Sequence, residues 1–132
     1  MTDARIEPVP ADPAFARVFL EKAEGFLADA DRVGLDSRQI LCWQACISML
    51  EAILLAAGRR VTPGSGGHMR RLEEAERVLG GNHAELFERL DLHRDARHDV
   101  SYAAGVASDL GTDELRQAAA ELLAVARSYV TR

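Results

Sequence analysis

The sequence predicts an all-α protein folded as a five-helix antiparallel up-and-down bundle. Ala and Leu recur throughout while aromatics make up only 5% of the residues, so the composition favours helix and lacks the β-branched and aromatic enrichment of strands. The apolar residues recur at helical rather than alternating spacing. Clusters of Gly, Pro and Asn then divide the pattern into five segments. At 132 residues, 48% of them hydrophobic, the chain can bury one core without a metal or disulfide. The expected organisation is a flexible N-terminal segment over residues 1–11 and a single domain over 12–132.

Helix one opens at Pro13 behind Asp12 as cap. Phe15, Val18, Phe19, Phe26 and Leu27 line one face until Gly34 stops it. Asp36 and Gln39 form a capping pair for helix two, which runs to Gly58 as left-handed terminator. Its apolar stretch, Ile40 to Ala57, nears membrane-spanning length, but Gln44, Ser48 and Glu51 interrupt it, as in a central bundle helix. Val61 to Gly67 carries a proline and three glycines and reads as a loop. Helix three follows over His68 to Leu79, and Gly80, Gly81 and Asn82 end it. Helix four then holds its period to Gly105. Thr112, with Asp113 and Glu114 behind it, caps helix five, whose face is Leu115, Leu122, Leu123, Val125, Ala126 and Val130.

Charge limits the functions open to such a bundle. The net charge is -5, and Lys22 is the only lysine among sixteen basic residues. A large electrostatic footprint on duplex DNA is therefore excluded, while a small arginine-lined pocket is allowed. Cys42 and Cys46 stand one turn apart in an apolar run, a spacing that suits two reduced core residues better than a disulfide or metal site. No metal and no cofactor are expected. Met1 to Pro10 lacks the basic start and apolar centre of an export signal, so the expected compartment is the cytoplasm, with no membrane partner. Gly64 to Gly67 lacks the Lys and Ser/Thr of a phosphate-binding loop and reads as a connector.

Helix four carries the chemistry. At about 100° per residue, Leu86, Leu90, His93, Arg97, Val100 and Ala104 fall on one stripe, which sets Arg97 among core positions. A buried guanidinium needs a carboxylate, carbonyls, water or an anionic ligand. The internal candidate is Glu51, which with Gln44 and Ser48 forms a polar stripe on helix two; that stripe faces either Arg97 or solvent. Around Arg97 stand His93, Arg94, His98 and Tyr102, and His68 opens helix three. Arginine forks suit phosphate, histidine exchanges protons near neutral pH, and tyrosine adds a hydroxyl and a stacking face.

Arg97-His98-Asp99-Val100-Ser101-Tyr102 resembles the signature of the HEPN (higher eukaryotes and prokaryotes nucleotide-binding) superfamily. There an arginine and a polar residue precede a histidine four to six positions on. Here Tyr102 stands in the histidine's place and His98 in that of the polar Asn or Asp. The context is similar from Phe15 to Tyr129, including the apolar second helix ending in Ala56-Ala57-Gly58 and the Gly67-His68 entry to helix three.

The resemblance implies a HEPN-like homodimer with motif helices facing across a two-fold axis. It implies a domain that binds RNA or a nucleotide, or a degenerate metal-independent endoribonuclease of a bacterial toxin-antitoxin or stress-response system, with an antitoxin or nucleotidyltransferase as partner. Arg97, Tyr102 and His98 would form the catalytic set, with Arg94, His93 and His68 binding substrate. Arg97 would stabilise charge on the scissile phosphate, and His98 or His93 could carry the proton that Tyr102, with an ordinary pKa of about 10, carries poorly at neutral pH. The alternative is a non-catalytic protein-interaction or antitoxin-like dimer in which Arg97 pairs with Glu51 and fixes helix register.

Overall fold

In the computed structural model, the backbone of residues 2–102 and 109–131 and the side chains of 2–94 and 111–131 are described. The described chain is predominantly helical, with elements in the order β1 (Ile6–Pro8), α1 (Pro13–Ala30), α2 (Leu35–Ala56), β2 (Arg59–Val61), α3 (Gly67–Val78), α4 (Ala84–Tyr102) and α5 (Asp109–Val130).

Local chemistry explains the boundaries. The Asp12 carboxylate accepts the Phe15 N–H at 3.0 Å, and Pro13 occupies the first turn of α1, where no amide hydrogen is needed. At the other end, Arg38 reaches back from α2 and donates to the carbonyls of Ala30 and Val33 at 3.1 and 3.2 Å. These bonds close α1 at Ala30, before Gly34. Gly34, rather than Asp36, is the N-cap of α2, and Asp36 lies in the first turn, where its charge suits the helix dipole. α5 begins at Asp109, a turn earlier than its expected cap. Thr112 is therefore inside the helix and fully buried.

α2 is the hub. Cys42, Trp43, Cys46, Met49, Leu50, Ile53 and Leu54 are all buried, and the helix packs against α1, α3 and α5. It is long and apolar enough to cross a membrane by composition, yet its apolar surface is spent on its neighbours. Small residues on α1 (Ala16, Ala23, Ala30) and α5 (Ala118, Ala119, Ala126) are fully buried too, and their size permits close helix approach.

Side-chain pairs give the helix directions. Arg116 grips Asp31 with two bonds of 3.0 and 3.1 Å, and Arg127 meets Glu24 at 3.0 Å, so α5 runs antiparallel to α1. Arg89 bonds Glu121 at 2.7 Å and His93 lies beside Glu114, so α4 is antiparallel to α5. The up-and-down alternation breaks at α3. His68 meets Trp43 and Arg71 meets Glu51, and beyond α2 Glu74 meets Arg59 at the start of β2, so contacts advance in the same sense along α2 and α3. The ten residues between these helices are long enough to return the chain, which a tight turn is not.

The expectation of a loose segment over residues 1–11 is corrected. β1 pairs antiparallel with β2 in the register Ile6↔Val61, Glu7↔Arg60, Pro8↔Arg59. Ala4 is 1% exposed, and its N–H donates to the Ser65 carbonyl at 2.8 Å. Pro8 is tolerated in β1 because the strand lies at an edge. Two glycines admit it: Gly58 (φ 75°) lies under the Val9 carbonyl, and Gly64 (φ 144°) lies so close to Thr2 that a Cβ would stand 2.3 Å from the Thr2 oxygen.

Candidate functional site

Three groups of residues merit chemical attention. The first joins α2 to α3. The Arg71 guanidinium donates through Nε to the Glu51 carboxylate, and its Nη1 lies 3.2 Å from His68 Nδ1. The His68 ring meets the Trp43 indole edge-on, with centroids 6.0 Å apart and planes at 89°. Glu51 is thus bonded to Arg71, while the alternative Glu51–Arg97 pairing involves an Arg97 side chain that lies outside the described residues. His68 is not a lone helix-entry residue, since an aromatic wall and a guanidinium flank it. Sequence reasoning passed over Arg71, although it stands one turn after His68, where α3 side chains share a face. Of the polar stripe on α2, Gln44 is exposed, Ser48 is buried and Glu51 is half-buried.

The second group lines a cleft of 310 Å³ between α4 and α5, formed by Arg89, Leu92, His93, Glu114 and Gln117. Burial pushes the His93 imidazole below its ordinary pKa; the Glu114 carboxylate opposes this and the Arg89 guanidinium reinforces it. His93 is thus neutral at pH 7, with one N–H donor and one ring acceptor. Arg94, the next residue, bonds the Asp91 carboxylate at 2.9 Å.

The third group lies at one end of the bundle. Arg116 and Asp31 bring the start of α5 beside the α1–α2 turn. Because α4 is antiparallel to α5, its last turns, through Tyr102, arrive at that same end. There the buried Gln39 Oε1, Trp43 Nε1 and Thr112 Oγ1 have no hydrogen-bond partner among the described residues. A buried polar atom without a partner costs about 1–3 kcal/mol, and three at one end is a concentrated cost. Arg97, His98 and Tyr102 are on α4, but their side chains lie outside the described residues.

The row that leads to them is described. Leu86 and Leu90 are buried and His93 is half-buried, so the stripe assigned to the core does face inward as far as it can be followed. Among the described residues no three His, Cys, Asp or Glu side chains are grouped to hold a metal ion. Burial raises the Cys42 thiol to about 11 and the Cys46 thiol further, so neither is a thiolate at neutral pH.

Comparison of the chain with protein-family models, with curated proteins and with solved structures finds no match.

Proposed function

We propose that the protein binds RNA or a nucleotide at the end of the bundle where α4 finishes, with Arg97 as the phosphate-binding group. The single observation that supports this reading is the set of orphaned polar atoms there. Gln39 Oε1, Trp43 Nε1 and Thr112 Oγ1 are buried at the end to which α4 brings the Arg97-to-Tyr102 motif. A ligand or a motif side chain that satisfied them would recover a cost the bundle otherwise carries.

On this reading Arg97 stabilises the charge that develops on a phosphate, as a fixed guanidinium does in a water-poor site. Tyr102 donates a hydrogen bond. A proton carrier for strand cleavage is His98 or His93, the second of which burial keeps neutral at pH 7 and so able to accept a proton. Arg94 and His68 would supply further contacts to the strand. The reading expects a cytoplasmic HEPN-like homodimer whose motif helices face each other, working beside an antitoxin or nucleotidyltransferase, and any cleavage it performs needs no metal.

The test uses purified protein and unstructured RNA in the presence of a chelator, beside Arg97→Ala. Expected is RNA binding, with or without slow cleavage, that the variant loses. Equal behaviour of the two proteins removes the reading.

A further inference from the structure

Of the residues lining the cleft between α4 and α5, the phosphate chemistry proposed for Arg97 draws on His93 alone. Arg89, Leu92 and His93 share one face of α4 at spacings of three and four, and Glu114 and Gln117 share the facing surface of α5 at a spacing of three. Leu92 is 64% exposed, a large apolar side chain among polar and charged lining residues.

We infer that this cleft is a subsite for a guanine base; the inference rests on the RNA or nucleotide reading above for the source of that base. A carboxylate beside a nucleic-acid strand repels its phosphates, so Glu114 is unsuited to backbone binding and suited to a base edge rich in donors. Guanine alone among the four bases presents two adjacent N–H donors, N1–H and the N2 amino group. A carboxylate accepts both at once. Adenine and cytosine set a ring acceptor beside their amino group, and uracil flanks its one N–H with two carbonyls, so each would aim a lone pair at Glu114.

The rest of the cleft completes the guanine pattern. O6 needs a donor next to the carboxylate. The neutral His93 ring has one N–H to give it. The Gln117 amide offers a further donor for N7. Leu92 supplies an apolar surface for the flat face of the base, and 310 Å³ accommodates a purine.

The experiment is a titration of isotopically labelled protein with GMP and with AMP, read by NMR shifts, repeated on Glu114→Gln. Both nucleotides carry the same phosphate, so only the base differs. Expected are GMP-induced shifts at Leu92, His93 and Gln117, GMP affinity on the order of tenfold above that of AMP, and loss of this preference in the variant. Gln117→Ala should weaken GMP binding without abolishing the preference. Equal affinity for GMP and AMP, a preference that survives Glu114→Gln, or shifts confined to other surfaces each overturn the inference. If these fail while RNA binding still depends on Arg97, the guanine subsite alone is wrong. If GMP binds in the cleft while RNA binding ignores Arg97, the subsite stands and the phosphate assignment falls.

Discussion

Glu51 on α2 is hydrogen-bonded to the guanidinium of Arg71 on α3, with only 27% and 21% of the two side chains exposed. A charged hydrogen bond so shielded contributes more than a surface ion pair. Glu51→Gln should lower unfolding free energy by about 1–3 kcal/mol. Adding Arg71→Met should restore part of it, because breaking a shielded pair costs more than replacing both partners. Urea denaturation of the two single variants and the double variant measures the coupling; simple additivity would show the pair to be idle.

Gly64→Ala should destabilise the protein by about 1–3 kcal/mol. Its φ of 144° is strained for alanine, and the added Cβ would meet the Thr2 carbonyl at 2.3 Å. The damage should be local to the strap, so proteolysis within residues 2–11 should accelerate more than global unfolding does. Gly25→Ala is the control. That glycine is inside α1 with nothing within 4 Å of a new Cβ, and the change should stabilise by about 0.5–1 kcal/mol.

Acidification should act on His93. Its folded-state pKa lies below the unfolded value of 6.5, so between those two values the unfolded chain binds more protons. Stability contributed by neutral His93 is therefore complete above pH 6.5 and declines as pH falls below it. Melting temperatures between pH 7.5 and 5.5 should drop less for His93→Gln than for the native protein. An identical slope for both would assign the acid response to other groups.

Native Cys42 and Cys46 should resist alkylation. Both are fully buried, and burial raises Cys42 to about 11 and Cys46 still more. At pH 8 iodoacetamide should label neither within the time that labels both in urea, because the thiolate is the reacting species. Rapid native labelling would mean that α2 opens readily.

The helices were legible in the sequence because each has an independent local signal. Asp12 and Pro13 open α1, and Gly58 closes the helical run of α2, both as their chemistry requires. Long-range features were less legible. The first eleven residues read as flexible, since no local signal tells that Arg59 to Val61 will offer residues 6–8 an edge. Thr112 followed by two acidic residues has the composition of a cap, yet packing drew it into the interior. For the site, helical spacing placed His93 correctly on the inward row. It did not single out Arg71 as a partner of Glu51, because that contact depends on the same-sense passage of α3 along α2, which no local spacing records.

The order of synthesis gives the amino-terminal strap a distinctive history. Residues 2–9 leave the ribosome before the strand they join, and their partners at Gly58, Thr62 and Ser65 emerge 49 or more positions later. The α1–α2 hairpin between them can form from neighbouring contacts alone, while the strap awaits closure of that long loop. Until then the backbone of Arg59 to Val61 is an open edge to which a second nascent chain could add its own residues 6–8, an opening for exchange of this strand between copies.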